Sequence, residues 1–149
     1  MRILRLYLVL LFVPFIQPAA ATGAEFKGVQ ELLFVDQIDT SDAYNASIIL
    51  QRCSGMFRAL SMLLPGDMRK EKAKLDLKSF RILTMATQVM AEKRGLPSDS
   101  AVVKNEVNKA FNSYVDIYYK HMEDNQIKTG SMFDDFINGE QDTCISLTN

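Results

Sequence analysis

The chain has 149 residues, a formal net charge of −1 and a single histidine. This length suits one domain, and the balanced charge argues against nucleic acid as the main partner, because such proteins carry an excess of basic residues. The single histidine also excludes zinc sites that are built from two histidines.

The N-terminal region has the three-part pattern of a secretory signal peptide. Met1–Arg5 carries two positive charges, Leu6–Ile16 is apolar, and small residues follow. The apolar run is shorter than the ~20 residues that a transmembrane helix needs. We therefore expect residues 1–21 to be removed, with cleavage after Ala21 or alternatively after Ala24. The mature chain is expected to be periplasmic or secreted, to lack a transmembrane segment and to carry a net charge of −3.

Residues 25–40 are expected to form an N-terminal extension, and residues 41–149 a helical bundle domain. Within the extension, the apolar stretch Leu32–Val35 fits either a short strand or a helical turn packed on the bundle.

The first long helix is predicted over Ser41–Leu64, because Pro65 follows it and its apolar residues recur every three or four positions. Its candidate N-caps are Thr40, Ser41 and Asp42, and its apolar stripe is Ile49, Cys53, Met56, Leu60 and Leu63.

The second long helix is predicted over Met68–Arg94, with Asp67 as a candidate cap and Gly95 directly after it. Phe80, Leu83, Ala86 and Met90 share one face of this helix and are expected to be buried.

The third long helix opens near Ser98–Ser100 and has a wide apolar face. One predicted stripe consists of Val103, Val107, Ala110, Tyr114, Ile117 and His121, and the adjacent stripe of Phe111, Val115, Tyr118 and Met122. A shorter fourth helix is predicted to begin at Ser131, with Asp134 completing a variant of the capping box, and Asn138–Gly139 is a candidate kink or break.

These elements predict an all-α fold, in which three long helices run up and down and a shorter C-terminal helix returns beside them. Three helices of similar length with short turns between them must run antiparallel.

Only two cysteines are present, and an even number in an exported domain indicates a disulfide. In the predicted layout, Cys53 and Cys144 lie ~17 Å and ~20 Å from the same end of the bundle. A Cys53–Cys144 bridge would therefore staple the bundle, with two separately buried thiols as the alternative. Closing a loop of about 91 residues would stabilise the fold by roughly 4.6 kcal/mol.

Three short features of the chain resemble uncharacterised small secreted two-cysteine helical proteins of bacteria. They are Arg52–Gly55 in the first helix, Lys128–Gly130 after the third helix, and the late Cys144. The resemblance implies a secreted helical fold and no particular activity.

No nucleophile motif of the Gly-x-Ser-x-Gly type, no Walker-type loop and no Gly-x-Gly-x-x-Gly motif occurs in the sequence. The adjacent Asp134 and Asp135 point in different directions on a helix, so they suit its N-terminal dipole better than an acid/base pair. We expect a protein without catalytic activity and without a cofactor; an enzyme of unrecognised type is the alternative.

A second alternative is a copper or haem carrier, because thioether and imidazole ligands suit Cu(I), and haem iron also accepts a Met/His pair. The candidate ligands are His121, Met62, Met68, Met122 and Met132, which all fall near one end of the predicted bundle. Core packing is the simpler interpretation of these residues, since methionine fills gaps between helices and His121 continues an apolar stripe.

Charge is unevenly distributed, with a net +4 over Arg69–Arg81 and a net −5 over Glu123–Asp142. A candidate basic face consists of Lys70, Lys74, Lys78 and Arg81. It suits an anionic surface or an acidic extracytoplasmic protein, although a solvated helix face is the simpler interpretation.

The combined prediction is an exported helical protein that acts by binding. A structural component of an envelope or virion assembly is a further alternative. Asn45 stands in an Asn-Ala-Ser sequon, which has meaning only in a eukaryotic source.

Overall fold

The computed structural model describes residues 26–148 of the chain, so the predicted signal peptide and both cleavage sites lie outside the described residues. Within this range the fold is all-helical, as predicted, and contains no strand. The helices are α1 Val29–Phe34, α2 Ala43–Leu63, α3 Arg69–Lys93, α4 Ala101–Thr129 and α5 Asp135–Thr148. None of them is long and apolar enough to span a membrane.

The extension forms a helix rather than a strand. α1 buries Val29 against the core, while Leu32 and Leu33 pack partly against it. Of the two alternatives for this stretch, the helical turn is therefore correct and the short strand is wrong.

α2 begins two residues later than predicted. Asp42 is the N-cap, because its carboxylate accepts hydrogen bonds from the backbone N–H groups of Tyr44 and Asn45 at 2.9 and 3.2 Å. The other two candidates, Thr40 and Ser41, precede the cap.

Serines spaced seven residues apart fix α2 against α3. Ser47, Ser54 and Ser61 donate hydrogen bonds to the carbonyls of Ala86, Ser79 and Lys72, respectively. The partner number falls by seven each time the serine number rises by seven, so the two helices are antiparallel. Small hydroxyl side chains both allow a close approach and satisfy their own polar atoms inside the core.

The prediction for α3 was partly wrong. Ala86 and Met90 are buried, as expected, but Phe80 is 67% exposed. The buried face instead includes Ser79 and Ile82, and at 100° per residue Phe80 lies well away from it. Asp67 does not cap the helix, because Met68 occupies the N-cap position and makes no side-chain cap bond.

α4 is one continuous helix whose buried residues change stripe along its length. Val103 and Val107 belong to the first predicted stripe, whereas Val115, Tyr118 and Met122 belong to the second. Because 3.6 residues per turn do not match an exact repeat, the buried line drifts around a long helix. Ile117 and His121, which were predicted to be buried, are consequently part-exposed.

α5 begins at Asp135, four residues later than predicted. Its N-terminus is capped by Asp134, whose carboxylate accepts the N–H of Ile137 at 2.9 Å. Ser131 lies in the preceding turn, where its hydroxyl donates to the Phe133 carbonyl. Asn138 and Gly139 do not break α5, which continues to Thr148.

The predicted disulfide is confirmed. Cys53 of α2 and Cys144 of α5 are bonded, with their Cα atoms 5.4 Å apart, and both are fully buried. The buried apolar residues form two clusters. The larger contains the disulfide, Phe57, Tyr118 and Ile137, and the smaller contains Ala86, Met90, Ala91, Val103 and Val107.

Candidate functional site

A buried carboxylate lies where α1 meets α4 and α5. Glu140 is only 1% exposed. One of its oxygens accepts the N–H of Val29 at 2.8 Å, and the other accepts the N–H of Gln30 at 2.9 Å. The Tyr118 hydroxyl donates a third hydrogen bond to it. Glu140 thus caps the first turn of α1 from another helix, which suits the partial positive charge at a helix N-terminus.

Tyr118 takes its ionisation behaviour from this environment. Burial raises the pKa of the phenol well above its ordinary value of 10.0, and the negative charge of Glu140 raises it further. Tyr118 therefore remains a neutral donor to the carboxylate across the physiological range.

Arg52 of α2 supplies a positive charge near Tyr118, where it partly offsets the upward shift of the phenol pKa. Its guanidinium donates to the Lys27 carbonyl and lies 4.9 Å from the ring centroid of Phe26 and 5.1 Å from that of Tyr114. Cation–π contact with two rings stabilises a guanidinium that is partly removed from water. We call Arg52, Tyr118 and Glu140 the clamp.

The clamp holds the residues before α1 mainly by their backbone. Gly28 leaves no room for a side chain, since a Cβ there would lie 2.4 Å from Oε1 of Glu140 and 2.7 Å from the Phe136 ring. The ring of Phe26 packs edge-on against Tyr118, with centroids 5.4 Å apart. The N-terminal segment, Phe26–Phe34, is thereby anchored through its first five residues.

A surface cavity adjoins the clamp. Its volume is about 360 Å³, and it is lined by Phe26, Ile117, His121 and Phe136. The prediction that His121 simply continues the apolar core was wrong, because its Nε2 pairs with Oδ2 of Asp134 at 2.7 Å and its side chain is 39% exposed.

The Asp134 carboxylate both caps α5 and pairs with His121. Burial opposes ionisation of its carboxyl, but the hydrogen bonds from the N–H of Ile137 and from His121 outweigh burial and lower its pKa below 3.8. Asp134 is therefore charged at neutral pH and orients the imidazole at the cavity wall.

The methionines proposed as metal ligands have different environments. Met122 is fully buried and Met132 packs partly against the same cluster, whereas Met62 and Met68 are exposed near the α2–α3 turn. Among residues 26–148, no three histidine, cysteine, aspartate or glutamate side chains are placed to hold a metal ion together.

Three of the four residues of the predicted basic face are exposed to solvent. Lys70, Lys74 and Arg81 are exposed and form no ion pair with any residue in the described part of the chain. Lys78 is part-buried, with its Nζ 4.8 Å from the ring centroid of Phe57. The nearby Asp76 is already paired with Arg58 of α2 at 2.6 Å, so it does not neutralise the exposed cations.

Two exposed apolar side chains lie among these cations. Leu77 is 49% exposed and Phe80 67%, and at 100° per residue both fall on the arc of α3 that holds the cations. We call these five exposed residues the α3 face: Lys70, Lys74, Leu77, Phe80 and Arg81.

A groove of about 440 Å³ between α3 and α4 adjoins the α3 face, and Phe80 forms part of its wall. The hydroxyls of Thr84 and Thr87 donate to the carbonyls four residues before them in α3. Their hydrogen-bonding capacity is thus largely used within the helix. Lys104 lies at the α4 side of the groove.

Sequence reasoning missed Glu140 and Arg52. The signal for Glu140 was present, since Ile137, Glu140 and Cys144 are spaced three and four apart and share a helix face. An acid on an otherwise buried stripe requires partners inside the protein.

Comparison with known proteins finds no matching family model, curated protein or solved structure.

Proposed function

We propose that the chain is an exported binding protein, periplasmic or secreted, which docks on an anionic surface through the α3 face and carries out no catalysis. Export is supported by the signal-peptide pattern of residues 1–21 and by the Cys53–Cys144 disulfide, a bond that persists in oxidising compartments.

The observation that carries this proposal is the exposure of Phe80 between cations that lack an acidic partner. Neighbouring exposed apolar side chains that are rimmed by polar residues mark interaction surfaces, and Leu77 lies one helical turn from Phe80. Leu77 lies three residues before Phe80, three after Lys74 and four before Arg81, so it neighbours all of them on the helix surface. Electrostatic attraction and apolar burial would therefore reinforce each other.

An anionic lipid surface suits the α3 face better than a folded acidic protein. The cations and apolar side chains share one side of a 25-residue helix, so they would meet a flat surface together. Each lysine or arginine near an anionic membrane contributes ~1 kcal/mol, and the apolar side chains add insertion into the headgroup region.

We also propose that α2, α3 and α4 form an up-down bundle beside which the shorter α5 returns. The antiparallel serine contacts between α2 and α3 support this arrangement. So does the close approach of α2 to α4 at Gly55, where an added Cβ would lie 2.8 Å from Cβ of Tyr114.

The proposed docking is tested by co-sedimentation with vesicles of neutral phosphatidylcholine, with and without a third of anionic phosphatidylglycerol. We expect binding to the anionic vesicles alone, weakening with added salt. Lys74→Glu with Arg81→Glu, and separately Phe80→Ser, should each reduce the partition coefficient at least about fivefold.

The matched control is Lys109→Glu with Lys120→Glu on α4, which makes the same change in net charge. Lys109 lines a separate cavity between α2 and α4, and Lys120 lies on the same side of α4. Equal losses in this control would mean that net charge, and not the α3 face, governs binding. If no vesicle binds, the lipid proposal is wrong, and capture of an acidic protein becomes the alternative.

A further inference from the structure

The clamp contacts the N-terminal segment in the way that a binding site contacts a peptide ligand. It recognises backbone groups, since Glu140 accepts the N–H groups of Val29 and Gln30 and Arg52 donates to the Lys27 carbonyl. The side chains that are inserted are Phe26 and Val29. The same contacts could therefore be made by the N-terminal segment of any other chain that has this short sequence.

The connection between this segment and α2 is exposed and locally strained. Gln37 has a φ of 49°, a left-handed conformation that costs a non-glycine residue free energy. The turn is closed by the backbone bond from the Ile38 N–H to the Leu32 carbonyl at 3.0 Å and by the exposed Lys27–Asp36 ion pair. An exposed ion pair contributes little, so opening this turn has a modest cost.

Two apolar side chains at the same turn lack cover. Phe34 is 69% exposed and Val35 is 71% exposed. They lie at the end of α1, where the chain folds back toward α2. If the turn opened, these side chains would lie on the extended connection, where an identical connection could cover them.

We infer that the N-terminal segment exchanges between two copies of this chain, so that Phe26–Phe34 of each copy occupies the clamp of the other. Every contact of the clamp is then remade, the strain at Gln37 is released, and Phe34 and Val35 of the two connections pack together across a two-fold axis. This is segment swapping, in which the dimer keeps the monomer's contacts and adds a new interface at the hinge.

The covalent structure permits this exchange. The disulfide closes a loop from Cys53 to Cys144, and both the segment and the connection precede Cys53 in the chain. The segment can therefore leave one clamp and enter another while the staple remains intact.

The decisive test mixes two full-length mature variants that are defective in different halves of the contact. Gly28→Val damages the segment, because a side chain at this position meets Glu140 and Phe136. Glu140→Ala damages the clamp and leaves the segment intact. Only the mixture combines an intact clamp with an intact segment, so native mass spectrometry should show at least tenfold more heterodimer than either homodimer.

The matched control replaces Gly28→Val with Gly66→Val, since nothing lies within 4 Å of a Cβ at Gly66. This partner has both an intact clamp and an intact segment, so it exchanges segments with its own copies, and we expect at least tenfold less heterodimer with Glu140→Ala. The inference is overturned if the Gly28→Val and Glu140→Ala mixture stays monomeric while both variants retain native helicity.

A second measurement serves if Gly28→Val does not fold. Gln37→Val increases the strain of the closed turn, whereas Gln37→Gly removes it. We expect the dimer dissociation constant, measured by sedimentation, to be about tenfold lower for Gln37→Val than for Gln37→Gly. Equal dissociation constants in the two variants would contradict segment exchange.

Discussion

The clamp region buries polar groups, whereas the α3 face exposes apolar groups to solvent. In the clamp region a carboxylate and a phenol are buried next to a disulfide, and the carboxylate has at least three hydrogen-bond donors. On the α3 face, Leu77 and Phe80 are exposed, and the cations around them lack ion-pair partners among residues 26–148. Residue type alone therefore does not indicate whether a side chain stabilises the fold or is available to bind a partner. The environment of the side chain gives that indication.

The largest expected effect comes from removing the disulfide next to the clamp. Cys53→Ser and Cys144→Ser should each lower the free energy of unfolding by about 4 to 5 kcal/mol, because the loop of 91 residues regains its entropy in the unfolded chain. The double variant should be no worse than either single variant, as measured by urea unfolding. Strongly additive losses would show that the two thiols act separately.

The next effect tests the buried carboxylate. Glu140→Ala should lower the free energy of unfolding by ~3 kcal/mol, since it leaves the N–H groups of Val29 and Gln30 and the Tyr118 hydroxyl without their acceptor. Glu92→Ala removes an exposed acid from α3 and should change stability by less than ~0.5 kcal/mol. A similar small loss at both positions would contradict a structural role for Glu140.

A smaller effect is expected from the Tyr118 hydroxyl and depends on pH. Because burial and Glu140 raise the pKa of Tyr118 in the folded state, its contribution is complete below the ordinary pKa of about 10 and is lost as pH rises toward the folded value. Tyr118→Phe should cost ~1 to 2 kcal/mol at pH 7 and flatten the alkaline loss. Tyr44→Phe, at an exposed position, should retain the wild-type pH profile in the same unfolding titration.

The smallest effect concerns the α3 face. Phe80→Ser should change the free energy of unfolding by less than ~0.5 kcal/mol, because the ring is mostly exposed. Ile82→Ser, two residues away and buried, should cost ~3 kcal/mol or more. A large loss of thermal stability in Phe80→Ser would show that this side chain packs in the fold and is not held for a partner.

Sequence patterns predicted the helices and the disulfide well, because hydrophobic periodicity and cysteine number are local or nearly local signals. They fail for Phe80, because its apolar side chain and its spacing from Leu83 predict burial, whereas the ring is 67% exposed. They also missed the serines at 47, 54 and 61, although a spacing of seven on a buried helix indicates contact with one neighbour.

The clamp is harder to predict because its partners are distant in sequence. Glu140 binds residues 110 and 111 positions away, so its role depends on how α1 docks on the bundle. Its place on the buried stripe predicts that it needs a partner, but no local pattern identifies Val29 and Gln30 as that partner.

The position of the disulfide has a mechanical consequence. When tension is applied between Phe26 and Thr148, the bond transmits the force directly from Cys53 to Cys144, and the loop between them bears none of it. Full extension would release only the residues outside the loop, about 110 Å of chain, against about 430 Å for the reduced protein. Helices α3 and α4 lie inside the protected loop, so the α3 face would keep its shape while the N-terminal segment is pulled away.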